Sequence, residues 1–223
     1  MKDRVKMDVA LLLVIITASV LMYFCRNLYP ANRAVDHMFD FLGVIIILQG
    51  TFLRMAARGH KQTNSQKGAS VVMTGPYTIA RNPMYLGSMM IGCGFVLIVW
   101  PWWFVVIFCG IFYARFNIQI IKEEEWLSKN FKDSFNAYTQ SVPRLFPSIS
   151  KLMHANLKEA FPLSEAFSTK EKYGMIGWPL LGLIVGLIQQ AVIYQSLDLG
   201  RSFLAFGLAV IVFLLRLVMV YKT

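Results

Sequence analysis

Residues 82–114 contain no charged side chain, and this segment constrains the fold more than any other feature of the chain. It is too long for one membrane span, which takes about 20 apolar residues in a helix. Trp100-Pro101-Trp102 lies near its middle. Proline disrupts a helix interior and tryptophan favours the membrane interface. The segment therefore predicts a tight helical hairpin with this tripeptide at its tip and with rather short arms.

The other apolar runs predict an all-α, polytopic transmembrane protein. Hydrophobic residues make up 57% of the 223 residues and charged residues only 15%, whereas a soluble domain carries about a quarter charged residues. The first run could be a signal peptide, but it is long for a signal core and lacks a clear cleavage site, so we interpret it as a retained span. The six expected spans are residues 8–25, 39–57, 84–99, 102–121, 175–197 and 202–221.

Lysine and arginine counts predict the orientation of these spans. Segment 54–81 holds five such residues, segment 122–172 holds eight, and three precede the first span. The connecting segments on the opposite side hold only Arg26, Arg33 and Arg201. Because basic residues accumulate in cytoplasmic loops, we expect both termini and the polar motifs described below to be cytoplasmic.

Several function classes are disfavoured. The net charge of +10 comes from short loops between apolar runs, so there is no basic face on a soluble domain that would bind nucleic acid. The three cysteines and three histidines lack metal-ligand spacing. The longest polar segment, from about residue 122 to residue 174, is too short for a separate cofactor-binding domain. Any cofactor site must therefore be built from loops and helix ends at the membrane surface.

A first polar cluster precedes the hairpin and combines Gly75-Pro76-Tyr77 with residues 81–85. Asn82 is a good helix N-cap and Pro83 suits the first helical position, which would leave backbone N–H groups for an anion. Arg81 would add a bidentate donor for a carboxylate. Tyr77 and Tyr85 can offer aromatic faces to a cation. The alternative is a well-capped helix with a snorkelling arginine and two interfacial tyrosines.

A second polar cluster follows the hairpin. Arg115, Gln119 and Glu123 recur every fourth residue, so they lie on one helix face. Glu124 is turned about 100° from Glu123, so it lies outside this face and cannot take the role of Glu123. An arginine within a span usually faces a cavity or a partner. The alternatives are a snorkelling Arg115 and a solvated acidic run.

In order and spacing, the motifs between Gly75 and Pro147 resemble the catalytic block of the isoprenylcysteine carboxyl methyltransferase and phospholipid methyltransferase superfamily. The resemblance implies methyl transfer from S-adenosylmethionine to a lipophilic acceptor that enters from the bilayer. It implies cofactor contacts by Ala69, Ser70, Val71, Val72, Tyr77, Arg81, Asn82, Pro83, Met84 and Tyr85. It implies roles on the acceptor side for Glu123, Arg115, Gln119, Glu124 and Arg144.

Five positions depart from the family pattern, two of them modestly: Phe135 replaces the usual tyrosine and Lys132 the usual glycine. Asn82 occupies a position that is more often histidine in the family. Ala69 occupies a position at which the eukaryotic carboxyl methyltransferases carry histidine. Gln119 stands where an arginine meets the acceptor, and Arg115, one turn earlier, would have to replace it. These departures tilt the interpretation slightly away from a strict carboxyl methyltransferase. A lipid amine or thiol acceptor stays open, as does a non-enzymatic membrane scaffold or transport protein.

The chain divides into three expected parts. Residues 1–58 form an N-terminal helix pair, and residues 59–150 form the catalytic block with its hairpin. Residues 151–223 form an interfacial connector and a C-terminal helix pair, for which the motifs indicate no role.

Overall fold

The computed structural model describes residues 24, 26–30, 32–65, 70–148 and 156–222, so the expected first span, apart from Phe24, lies outside the described residues. The α-helices are α1 (Arg33–Asn64), α2 (Pro83–Val99), α3 (Phe104–Asn130), α4 (Lys132–Ser141), α5 (Leu157–Ala160), α6 (Leu163–Ala166), α7 (Gly174–Ile193) and α8 (Leu199–Lys222). Short 3-10 turns lie at Arg26–Leu28, Gly75–Thr78 and Lys170–Tyr173. The described ranges contain no β-strand, and the predicted all-α fold is confirmed.

Four segments are long and apolar enough to cross a membrane, namely α1, α3, α8 and Lys170–Ile193, which contains α7. Helix α2 is apolar but has only 17 residues. At 1.5 Å per residue it rises about 25 Å, which is less than the 30 Å of a typical hydrocarbon core. The short hairpin arm predicted from the sequence is therefore present.

The predicted hairpin tip is also confirmed. Helix α2 ends at Val99, and the Trp100 N–H donates to the carbonyl oxygen of Val96 at 2.8 Å. Trp102 is 57% exposed, and α3 begins two residues later at Phe104. The tryptophan and proline residues therefore terminate one arm and start the other.

Helices α1 and α2 pack antiparallel through two pairs of glycines. A Cβ atom added to Gly50 would lie 2.6 Å from the carbonyl oxygen of Gly87, and one added to Gly43 would lie 2.7 Å from that of Gly94. These distances are too short for any side chain. Small residues let helix backbones approach closely in a membrane, so the absence of side chains at these four positions sets the separation of the two helices.

Helix α1 is central, since α2, α6, α7 and α8 all pack against it. Its side chains Val44, Ile47 and Met55 are fully buried, together with Ile98 of α2 and Phe213 of α8. The C-terminal helix pair therefore shares one hydrophobic core with the segment that carries the motifs.

Polar contacts attach α7 and the turn before it to both ends of α1. At the N-terminal end, Asp36 is buried and accepts a hydrogen bond of 3.5 Å from the Gln189 side chain. At the other end, Glu171 pairs with Arg54 at 3.0 Å and with Arg58 at 2.7 Å. These contacts hold α7 in register along the length of α1.

The glycine contacts generate a stability prediction. Gly50→Ala should lower the thermal unfolding midpoint in detergent, because its Cβ would collide with the Gly87 carbonyl, although alanine is favoured over glycine in a helix by about 1 kcal/mol. Gly110→Ala is the matched control, since a Cβ there meets no described atom within 4 Å. That variant should keep or slightly raise the midpoint. Equal midpoints for the two variants would contradict the proposed helix contact.

Candidate functional site

One cavity of about 330 Å³ brings the two polar clusters together. It lies where the C-terminal end of α1, the N-terminal end of α2 and the second half of α3 meet. We call it the motif cavity. Its lining comes from residues 70–72, Tyr77 and 81–85 on one side and from Glu123, Glu124, Trp126, Leu127, Phe131, Phe135 and Tyr138 on the other, with Lys61 and Ser65 at the end of α1.

The motif cavity contains most of the residues that the sequence predicts to bind a cofactor. Ala69 lies outside the described residues. The other predicted positions all line the cavity: Ser70, Val71, Val72, Tyr77, Arg81, Asn82, Pro83, Met84 and Tyr85. Their part in cofactor binding stays a prediction, which this arrangement makes stereochemically feasible.

The residues predicted for the acceptor side are less tightly grouped. Glu123 and Glu124 line the cavity, and the Gln119 side chain reaches Glu123 through a hydrogen bond of 2.8 Å. Arg144 is not part of the lining, but it contacts two lining residues, Glu124 and Asn82. The Arg115 guanidinium lies over the Phe116 ring, 5.5 Å from its centroid, and Arg115 is not part of the lining.

Glu124 joins three separate segments of the chain. It is 8% exposed. Its Oε1 accepts a hydrogen bond of 3.1 Å from the Asn82 side chain and lies 3.6 Å from Nε of Arg81, while its Oε2 accepts from Nε of Arg144 at 3.0 Å. Hydrogen bonds to an ionised group are among the strongest in proteins. We call Glu124, Arg81, Asn82 and Arg144 the Glu124 hub.

The hub corrects one expectation about the start of α2. Asn82 occupies the N-cap position and Pro83 the first helical position, but the Asn82 side chain makes no capping hydrogen bond. Its amide donates instead to Glu124 and to the carbonyl oxygen of Arg144, at 3.0 Å for the latter. The predicted capping role of Asn82 is therefore wrong, because a charged acceptor engages its side chain.

Glu123 has a different environment from its neighbour. It is exposed at the cavity rim, and its Oε1 accepts hydrogen bonds from the Tyr85 hydroxyl at 2.7 Å and from the Gln119 side chain at 2.8 Å. The Tyr85 ring packs against Phe116 with a centroid distance of 5.5 Å. A ligand in the cavity can therefore contact the Glu123 carboxylate without disturbing the Glu124 hub.

Two tyrosines form the buried wall of the cavity. The Tyr138 hydroxyl donates to the carbonyl oxygen of Tyr77 at 2.7 Å, and the Tyr77 hydroxyl donates to that of Ala57 at 3.4 Å. Burial raises the pKa of both phenols above the usual range, and the charge of Glu123 adds to the effect on Tyr77. Both hydroxyls therefore stay protonated and serve as structural donors rather than as bases.

The structure also contains a supporting network that no pattern in the sequence predicts. His60 is buried and lies 2.9 Å from the Thr74 hydroxyl through Nε2 and 2.5 Å from Glu165 through Nδ1. Its ring fills the space beside Gly75, whose φ of +60° and lack of a side chain are both needed there. No sequence spacing relates His60 to Glu165, so only the folded chain reveals this contact.

Comparison with known protein families finds a match over part of the chain. Residues 38–134 match the family model for phospholipid methyltransferase, a member of the integral membrane methyltransferase superfamily. The match runs from the first turns of α1 into α4 and contains nearly all of the cavity lining. It starts earlier than the catalytic block expected from the motifs. No curated protein and no solved structure matches the chain.

The hub generates a second prediction. Glu124→Ala should destabilise the protein by about 1–3 kcal/mol, because its buried polar partners lose their acceptor. Glu125→Ala is the control, since Glu125 is adjacent and exposed, and should change stability by less than about 0.5 kcal/mol. Chemical unfolding in detergent measures both. A Glu124→Ala variant as stable as the Glu125→Ala variant would exclude the hub as a stabilising element.

Proposed function

We propose that this chain, whose residues 38–134 match the family model for phospholipid methyltransferase, transfers the methyl group of S-adenosylmethionine to a lipophilic acceptor. One observation carries the proposal. Two clusters separated by a membrane hairpin converge on a single cavity that has an arginine, two carboxylates and several aromatic rings in its lining. A plain membrane anchor needs none of these groups.

The lining fits the three chemical parts of the methyl donor. Its carboxylate needs a cation, and Arg81 lines the cavity, where its Nε lies 3.6 Å from Glu124 without a hydrogen bond to any described residue. Its sulfonium is a cation that aromatic faces attract, and Tyr85 and Trp126 line the cavity. Its adenine is flat and apolar on both faces, which suits the side of the cavity near Leu127 and Phe131. The volume lies in the range of small-molecule sites.

Methyl transfer of this type demands little of the protein beyond positioning. The bound sulfonium would supply an electrophilic methyl group. The chain would hold the acceptor atom in line with it and keep water away from both. The Tyr85–Glu123 hydrogen bond at the rim lies between the proposed cofactor side and the proposed acceptor side.

The geometry favours an amine acceptor over a carboxylate. Arg81 is the only arginine in the described lining, and the proposal assigns it to the cofactor. Arg115 precedes Glu123 by eight residues, which is about 12 Å along a helix. An amine must lose a proton before it attacks, and the exposed Glu123 can accept that proton. Turnover on phosphatidylethanolamine but not on a prenylcysteine would support this choice, and the reverse result would refute it.

We propose further that the motif cavity opens to the cytoplasm. The basic segments 54–81 and 122–172 both contribute to this end of the molecule, and basic segments remain cytoplasmic. In intact cells, an impermeant maleimide should label a Ser196→Cys variant and not a Ser148→Cys variant. Both positions are exposed, so the opposite pattern would invert the topology.

Binding measurements test the proposed roles. Arg81→Ala should weaken S-adenosylhomocysteine binding about 10- to 100-fold, the equivalent of a charge-assisted contact of about 1.5–3 kcal/mol. Glu123→Gln should leave that affinity nearly unchanged and lower turnover by about 10²–10⁴-fold, as expected for loss of a general base. Isothermal titration and a methyl-transfer assay on the purified protein give both values.

Arg144→Ala is the matched control, because it removes the other arginine of the Glu124 hub without changing the cavity lining. It should bind S-adenosylhomocysteine as the wild type does. Equal weakening by Arg81→Ala and Arg144→Ala would mean that the hub, and not a direct contact, controls affinity. A wild-type protein without saturable binding would refute the proposed function and favour a non-enzymatic scaffold.

A further inference from the structure

A second cavity of about 240 Å³ lies between α1, α2 and α8. Its walls are almost entirely apolar. We call it the lateral cavity, and its main lining residues are Phe52, Leu86, Met90, Phe213, Leu217 and Val220. Helix α8 lies outside the segment that matches the methyltransferase family, so the family relationship does not account for this cavity.

The lateral cavity is the neighbour of the motif cavity. Pro83 lines both of them. The loop before α2 separates the two, with Ile79 and Ala80 on the lateral side and Tyr77 and Arg81 on the motif side. A molecule in the lateral cavity would therefore lie directly behind the loop to which we assign cofactor binding.

One cation borders this apolar space. Arg216 of α8 is exposed and contributes to the lining. An arginine within a membrane span is costly unless it meets a partner or reaches the interface. Among the described residues no carboxylate pairs with Arg216, whereas Glu171 pairs with Arg54 and Arg58. The charge of Arg216 is therefore not neutralised by a described carboxylate and is accessible to a ligand at the lateral cavity.

We propose that the lateral cavity holds one hydrocarbon chain of an anionic membrane lipid and that Arg216 pairs with the negative group of that lipid. The volume of about 240 Å³ lies below the 300–1,000 Å³ of a site for a whole small molecule, so it suits a segment of a single chain whose remainder extends into the bilayer. Moving a chain from the bilayer into an apolar cavity gains little, because lipid tails are equally apolar. The charge pair with Arg216 therefore provides the selectivity for an anionic lipid over a neutral one.

Photo-crosslinking of the purified protein in a non-ionic detergent tests this site. The probe is a 16-carbon fatty acid with a diazirine on its chain, and the fatty alcohol of the same length is the neutral comparison. The acid should label peptides that line the lateral cavity about tenfold more than the alcohol, as expected for one charge-assisted contact. Equal labelling by both probes, or labelling spread over the exposed face of α8, would overturn the proposal.

Two pairs of variants separate the cavity from the surrounding surface. Val220→Trp fills the cavity and should abolish labelling, whereas Val218→Trp, at a position 56% exposed on the same helix, should not. Arg216→Gln should reduce labelling by the acid to the level of the alcohol, and Arg201→Gln, an exposed arginine at the other end of α8, should leave it unchanged. If Val220→Trp is poorly folded, the comparison of Arg216→Gln with Arg201→Gln tests the site on its own. Unchanged acid labelling in Arg216→Gln refutes the role of Arg216.

The bound lipid has two possible sources, a methyl acceptor or a resident bilayer lipid. Mass spectrometry of the lipid retained by the protein, with and without S-adenosylmethionine, distinguishes them. A one-methyl mass increase identifies an acceptor and an unchanged mass identifies a resident lipid, and either result supports the cavity. The site does not depend on the proposed function, since labelling of the lateral cavity and binding of S-adenosylhomocysteine are measured separately.

Discussion

The buried carboxylate of Glu124 is the interaction on which the arrangement of the candidate site depends. It contacts Arg81 and Asn82 from the loop before α2 and Arg144 from the segment after α4. A buried charge must be paired and hydrogen-bonded, or folding becomes unfavourable. Glu124 therefore fixes α3 relative to both segments, and the backbone hydrogen bond from Arg81 to Pro143, at 2.9 Å, supports the same contact.

Helix geometry explains why two adjacent glutamates have different environments. Successive residues in an α-helix are turned by about 100°. Glu124 therefore points into the protein, and Glu123 points to the rim, where Tyr85 and Gln119 bind it. A rigid buried carboxylate beside an accessible one provides both a fixed cavity wall and a group that can exchange a proton with a ligand.

Local patterns in the sequence predicted much of this arrangement. The hairpin followed from Trp100-Pro101-Trp102, because tryptophan and proline act on the backbone within a few residues. The convergence of residues 81–85 with Glu123 followed from the family resemblance. The capping role expected for Asn82 was wrong, since its amide has a charged partner 42 positions away. The pairing of His60 with Glu165 and the opposition of Gly50 and Gly87 depend on helix register, which no local pattern contains.

Hydrogen exchange with and without S-adenosylhomocysteine most directly tests the claim that both polar clusters form one cofactor site. The ligand should slow amide exchange in residues 70–85 and in residues 123–138 at the same ligand concentration, because both segments line the motif cavity. Exchange in α7 and in the N-terminal half of α8 should change little. Slower exchange in only one of the two segments, or no change in either, would contradict the account.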